Sequence, residues 1–545
     1  MTAAKQRLSK LPKRRLGLLG LTLPLLAGCM VGPDYSRPDA AINTEWLELE
    51  EETFKSDPSV LTDWWKVFQD PVLNGLIADA YAQNLDLESA GLRVIQARAA
   101  RGIAVGDFFP QEQSLNADLD RSALSRNESG ATTDRFFSST GVSLDVAWEL
   151  DFWGKFRRGI ETEDALLLAS IADYDDVLVT VLSEVALAYI DIRTTERRLE
   201  LAEANVEAQS NSLDIAEVRF RNGATTELDV TEARSTLANT RATIPSLRAE
   251  LRSAKLSLCV LLGRTPDTLE AKLAGGSDIP TAPAEVAIGA PAEMLRRRPD
   301  VRLAERIAAA QSAQIGVAKA DLYPSISISG STGLGASTAD PPSGFGADLG
   351  DFADAESFTG FIGLGVNWPF LNYGRIRNNV RLQDAAYQEA VADYRSTVLL
   401  AAAEAEEALY GFLRSREEFE LLEESAAAAA RSLELATTQY TEGSVDFTRV
   451  NDANAFLAEQ QDAAAQSKGA IAERLVLAYK ALGGGWETRV GNEFVPSATL
   501  EQMQERTDYG DLLKQGEDQS PRIFLAPDVN TGTYLEDEPT QEASE

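Results

Sequence analysis

The chain is written twice. Phe109-Pro110 returns as Tyr323-Pro324, and Asn84-Leu85-Asp86 as Arg298-Pro299-Asp300, both 214 positions on. From Val146 the offset becomes 220. Val146-Ala147-Trp148 returns as Val366-Asn367-Trp368, Trp153-Gly154-Lys155 as Tyr373-Gly374-Arg375, and Ala172-Asp173-Tyr174 as Ala392-Asp393-Tyr394. Phe220 with Gly223 returns as Tyr440 with Gly443, and Leu262-Gly263 as Leu482-Gly483. The change of six falls between Pro110 and Val146, where a loop can absorb it. A register held over more than a hundred residues implies two tandem structural halves.

Each half reads as a helix, two strands and a long helical hairpin. Ile160 to Asn222 is a run of 63 residues without Gly or Pro. As one helix it would reach ~95 Å at ~1.5 Å per residue, several times the usual globular length. A heptad line runs through it: Leu178, Val185, Ile192, Leu199, Val206, Leu213, Phe220. Beside it lies a second line, Val181, Ala188, Thr195, Ala202, Gln209, Ala216. The second half repeats the first line as Val398, Ala405, Phe412, Phe419, Ala426, Leu433, Tyr440. Large beside small residues pack helices closely, as in coiled coils. Gly223 and Gly443 should end the long helices in a left-handed turn. Thr226 or Asp229, and Asp446 or Asp452, are placed to cap or flank the returning helices. Heptads alone fit a solvated rod as well as a tube.

Val142, Leu144, Val146 and Trp148 share one face of a strand, and Ser143, Asp145 and Ala147 the other. Ile362, Leu364, Val366 and Trp368 repeat the pattern. Partner strands run through Leu115–Leu119 and Ile326–Ile328. Such alternation also marks a half-buried strand of a soluble sheet. What tips the reading is the length of the hairpins and the aromatics Trp148, Trp153, Trp368 and Tyr373 at their ends, which suit membrane-spanning β-strands with an interfacial girdle. No mature segment is long and apolar enough for a membrane helix. Four strands leave open edges, which lipid does not tolerate, so several chains must pool their hairpins.

The N-terminus agrees. Lys5, Arg7, Lys10, Lys13, Arg14 and Arg15 precede an apolar run from Leu16 to Leu26, too short to span a bilayer. It ends in Leu26-Ala27-Gly28-Cys29, which looks like a lipobox; the bland alternative is an ordinary signal peptide with a chance cysteine. On the lipobox reading Cys29 becomes the acylated (palmitate-bearing) first residue. Met30 stands where an aspartate would signal inner-membrane retention, which favours the outer membrane.

Composition removes other functions. The 545 residues carry a net charge of −34 and no histidine. Such a chain repels nucleic acid and cannot build a histidine triad, a zincin site or an imidazole shuttle. Once Cys29 is lipidated, Cys259 is a lone thiol in the apolar run Leu256 to Leu262, which suggests a small buried residue. No nucleophile, phosphate loop or metal cluster stands out, so no enzyme, metal or cofactor is expected.

The expected division is 1–28 signal peptide, 29–72 N-terminal periplasmic extension, 73–262 first repeat, 263–291 linker, 292–482 second repeat and 483–545 acidic tail. Strands are expected at about 113–125 and 138–150, then 323–333 and 357–370. Long helices are expected at about 156–222 and 226–262, then 375–442 and 446–482. 

Several motifs together mark a family. They are Val31-Gly32-Pro33-Asp34-Tyr35 after the lipobox, and Asp63-Trp64-Trp65 with Phe68, Asp70 and Pro71. Others are Arg296-Arg297-Arg298-Pro299-Asp300-Val301-Arg302 through Ile315-Gly316-Val317-Ala318 to Tyr323-Pro324-Ser325. The hairpin tips Arg219–Gly223 with Leu228-Asp229-Val230, and Tyr440–Gly443 with Asp452-Ala453, complete the set. Over residues 26–486 the chain resembles outer-membrane efflux proteins of the TolC/OprM kind, in the lipoprotein branch serving resistance-nodulation-division pumps. The resemblance implies a membrane α+β fold and a homotrimer with a twelve-stranded β-barrel continued by a periplasmic α-helical barrel. It implies a passive exit duct for small molecules such as drugs, docked to a periplasmic adaptor (membrane fusion protein) and an inner-membrane pump. A duct for type I protein secretion, or a non-porous coiled-coil lipoprotein, are the alternatives. By the family's pattern, Gly223, Leu228, Asp229, Gly443 and Phe447 are adaptor-contact positions. Asp452, and with it Asp446, are entrance-gate positions. Asn451 replaces a usual apolar residue and Arg449 adds a positive charge beside those acids. Asp452 could equally be a helix cap or a solvated face.

Overall fold

The computed structural model describes residues 30–513, except 44, 48–53, 57–60, 126, 128–134, 267–268, 276–277, 284–285, 289–290 and 340–348. The leader, Cys29 and residues 514–545 lie outside the described residues. The first half contains α1 (Pro71–Gln83), α2 (Leu85–Phe108), β1 (Glu112–Ala123), β2 (Phe136–Leu150), α3 (Lys155–Arg221) and α4 (Glu227–Leu261). The second contains α5 (Pro299–Ala320), β3 (Ser325–Ser337), β4 (Phe358–Asn367), α6 (Arg375–Glu442) and α7 (Phe447–Ala481), followed by α8 (Ser497–Arg506). Within 263–291 lie a short helix, Leu269–Leu273, and a three-residue strand, Val286–Ile288, which pairs in parallel with Phe54–Ser56. 

The helix starts follow local chemistry. Asp70 accepts hydrogen bonds from the backbone N–H groups of Val72 and Leu73, with Pro71 in the first turn. Asn84 accepts from the N–H of Leu87 to start α2.

The four strands form one antiparallel sheet, ordered β1-β2-β3-β4. Leu115 lies opposite Leu144, and Leu144 opposite Thr332, so the two halves share one alternation. On one face Leu115, Leu119, Leu144, Ile362, Leu364 and Val366 stand exposed. The other face, Phe361 aside, is mainly polar: the Asn116 amide and the Ser143 hydroxyl both donate to Asp145 at 2.7 Å. Among the described residues β1 and β4 are the edges of this sheet, unpaired on their outer sides.

The main core sits at the waist of the helices. Trp64, Trp65 and Phe68 meet α1, the Leu178–Ile192 stretch of α3, Phe412 of α6 and Leu475 to Tyr479 of α7. Trp64 stacks on Tyr479 at 5.6 Å. Cys259 is buried here, and that burial pushes its thiol pKa up.

Beyond this core the heptad line wanders. Leu178, Val185 and Ile192 are fully buried, yet Phe220 at the far end is 43% exposed. There the second line takes over, with Gln209 and Ala216 buried. The far end of α3 therefore packs through a different face from the waist.

The expected tail boundary falls too early. Residues 486–513 fold back onto the waist, where Phe494, Val495, Leu500, Met503 and Leu513 are buried. Asp175, wholly buried in α3, accepts from Arg489 at 2.6 Å and pairs with Arg302 of α5 at 3.3 Å. The Arg489 guanidinium also lies over the Phe494 ring, at 5.1 Å. At Gly91 of α2 a Cβ would stand 2.1 Å from the Phe494 carbonyl oxygen, so only glycine admits this segment.

The adjacent Asp176 gives a pH-dependent prediction. Burial, and next the charge of Asp300, push its carboxyl up to about 6, against partial relief from Arg298 and Lys480. With the folded pKa above the ordinary 3.8, its protonation stabilises the fold. That contribution is complete below pH 3.8 and is lost as pH rises through about 6. Asp176→Asn should therefore stabilise the protein at pH 7.5 by about 1–3 kcal/mol and change little near pH 4. Thermal melts followed by circular dichroism at both pH values check this; equal shifts at both would refute it.

Candidate channel entrance and membrane girdle

Both hairpin tips are built alike. At the end of α3 the N–H of Gly223 bonds to the Phe220 carbonyl and that of Ala224 to the Arg219 carbonyl. At the end of α6, Gly443 bonds to Tyr440 and Ser444 to Gln439. This double closure requires a left-handed residue, and Gly223 and Gly443 supply it with φ of 69° and 79°. Thr226 and Asp446 take the cap positions of α4 and α7, with no side-chain cap bond at either. Asp229 instead accepts from the hydroxyls of Thr225 and Thr226 and steadies the first turn. Asp452 is the sixth residue of α7, exposed, and not a cap.

The two tips are fastened to each other. Ala216, Val230, Ala233, Tyr440, Phe447 and Val450 form a small buried core between the hairpins. The Arg219 guanidinium lies 4.5 Å over the Tyr440 ring and donates to the carbonyls of Tyr440 and Thr441 at 2.5 and 3.2 Å. Burial pushes the Tyr440 hydroxyl pKa up. Further along, polar side chains bridge the hairpins. Thr236 donates to Asn451 at 2.6 Å, Asn454 to Ser212 at 3.3 Å, Asn205 to Gln461 at 3.0 Å, and Arg198 to Asp462 at 2.7 Å. Asn451, the departure from the family pattern, thus serves as an inter-hairpin acceptor.

One expected contact residue is corrected. Phe447 is 1% exposed and cannot offer its side chain to a partner; its ring meets Tyr440 at 5.3 Å and holds the tip together. Leu228 is 62% exposed, and Gly223 and Gly443 lie at the outer turns. Arg449 and Asp452 are both exposed, and among the described residues no ion pair joins them. Arg219, Thr236 and Tyr440 were not singled out by sequence as inter-hairpin links. The pairing of Phe220 with Tyr440 across the offset pointed to the place but not to the bonds.

At the opposite end the aromatics expected at the membrane interface take repeat-related positions. The Trp148 indole donates to the Phe108 carbonyl at 3.1 Å and the Trp368 indole to the Leu322 carbonyl at 3.1 Å. Trp153 donates to the Pro324 carbonyl at 2.7 Å and stacks on Tyr323 at 4.5 Å. Tyr373 is 99% exposed. Met30, next to Cys29 in sequence, packs on Gly154 so closely that a Cβ there would lie 2.9 Å from the Met30 Cα. The Val31 N–H bonds to the Trp153 carbonyl at 3.0 Å, and Arg158 pairs with Asp34 at 2.7 Å.

Comparison with known proteins places this architecture. The family described as outer membrane efflux protein matches residues 76–264 and again 290–484, one match per half. Nodulation protein T of Rhizobium leguminosarum bv. trifolii is 31% identical over 467 residues, covering 85% of this chain and 96% of that protein. The pyoverdine export outer membrane protein OpmQ of Pseudomonas putida is 30% identical, covering 87% and 98%. The solved outer-membrane channel OprN superposes with a TM-score of 0.77 at 34% identity, over 84% of this chain and 100% of that one. The chain belongs to the outer membrane efflux protein family and is an outer-membrane component of an efflux system, reaching into the periplasm.

Proposed function

We propose that three copies close their sheets into one twelve-stranded barrel in the outer membrane. The duct continues through the helices toward a periplasmic adaptor and an inner-membrane resistance-nodulation-division pump. It is passive, and carries small molecules that the pump delivers. The observation that carries this reading is the four-stranded sheet with an exposed apolar face and two open edges. In lipid every backbone group must be paired, so such a sheet has to close with others, and four strands fall below the eight of the smallest bacterial barrels. Support for small-molecule export comes from relatives named for it, among them a pyoverdine exporter and a toluene efflux protein of Pseudomonas putida. The lipid anchor on Cys29 fits the same picture, because Met30 is held beside Trp153 at the girdle. Detergent-extracted protein should run as a trimer and raise the conductance of planar bilayers. A monomer without conductance would overturn the reading.

Asp452, Asp446 and Arg449 form the candidate gate, with Leu228, Asp229 and the turns at Gly223 and Gly443 as the adaptor-facing surface. Exposed on one chain, Arg449 and Asp452 are free to pair between neighbours, although each such pair is worth only ~0–1 kcal/mol. Replacing both by alanine should raise the conductance of the closed channel. Single-channel recording checks this, and unchanged conductance would remove both residues from the gate.

A further inference from the structure

Within one chain the second half is seated on the first. α5 packs against both α3 and α6, whereas α2, its counterpart, packs extensively on α3 alone. Three contacts make the seat. Lys155 pairs with Asp321 at 3.0 Å. Trp153 stacks on Tyr323. Gly316 fits under Arg158, whose Cγ would lie 2.7 Å from a Cβ at that position.

Each contact has a repeat-related copy whose two members do not meet within the chain: the Asn378 side chain accepts only from Arg381 of its own helix, at 3.1 Å, and the Phe109 ring meets only its neighbour Phe108, at 5.8 Å, among the contacts of the described residues. The counterparts of Lys155 and Asp321 are Arg375 and Asp107, both exposed, with no ion pair to either among the described residues. The counterparts of Trp153 and Tyr323 are Tyr373, 99% exposed, and Phe109, 51% exposed. The counterparts of Gly316 and Arg158 are Gly102 and Asn378, and nothing lies within 4 Å of a Cβ built on Gly102. Gly102 leaves the backbone of α2 open to a close approach, as Gly316 does for Arg158. Tyr373 carries a cost: it holds a φ of 50° without being glycine, a strain that persists only where surroundings enforce it. Arg375 and Tyr373 sit at the foot of the β4 edge, and Asp107 and Phe109 at the foot of the β1 edge.

We propose that the end of α2 in one protomer seats against the start of α6 in the next. Asp107 pairs with Arg375, Phe109 packs on Tyr373, and Gly102 receives Asn378. The junction between subunits thereby copies the junction between halves. This inference rests on the assembly proposed above and names its contacts.

The test uses the full-length lipoprotein in detergent. Asp107→Arg and Arg375→Asp should each raise the subunit concentration needed for half-assembly by about tenfold, since three like-charge pairs replace three opposite ones per trimer. The double reversal should restore assembly. Gly102→Leu should weaken the trimer while leaving the helical content of the separated subunit equal or higher, because leucine is the better helix former. Phe109→Cys with Tyr373→Cys should give a reducible ladder of linked subunits under oxidising conditions. A trimer indifferent to both single reversals, or a doubly reversed protein no better than either single one, overturns this contact alone. A wild-type protein that never forms a trimer overturns the duct reading as well.

Discussion

Asp175→Ala is expected to unfasten the C-terminal segment from the waist and lower stability by about 3–5 kcal/mol, the usual cost of stripping one partner from a buried ion pair. Asp175 is wholly buried between Arg489 and Arg302. Removing it leaves the Arg489 guanidinium, itself 5% exposed, facing no carboxylate at that position. Asp175→Asn keeps an acceptor and should cost less. Hydrogen exchange across residues 486–506, with thermal melting, checks the ordering: alanine worst, asparagine intermediate. Unaltered protection of that segment in the alanine variant would show that the apolar contacts of Phe494 and Val495 suffice.

Phe447→Ala should have a comparable effect at the other end. The ring is a main filler of the small core between hairpin tips, and deleting such a side chain costs about 3–5 kcal/mol where the site cannot collapse. Both tips should loosen, so hydrogen exchange should rise around Ala216 and Val230 as well as at the start of α7. Conductance in planar bilayers should rise with it. Loosening confined to residues 444–452 would show that the hairpins are held together by their polar bridges instead.

Much of this was legible because each half tests the other. The relation of Trp148 to Trp368 extends to single atoms: their indoles bond to the carbonyls of Phe108 and Leu322, which are related by the earlier offset. Gly223 and Gly443 marked the helix ends because few other residues accept a left-handed backbone. Long-range pairings were not legible. Phe447 reads locally as an apolar side chain at a solvent-facing turn, but it is buried in a cluster that includes Val230 and Ala233 of the other hairpin. Asp175 and Arg489 stand 314 residues apart, and Arg489 lies in a stretch whose overall acidity suggested a tail. Arg449 and Asp452 are exposed, and among the described residues no ion pair joins them, so nothing in their local pattern told a gate from a solvated face.

The unpaired outer sides of β1 and β4 also constrain biogenesis. Their exposed N–H and carbonyl groups can be solvated in the aqueous periplasm but not among acyl tails. A solitary subunit therefore has no stable station inside the bilayer. Closing these edges against other sheets and entering the hydrocarbon layer are coupled: neither edge is tolerated there alone.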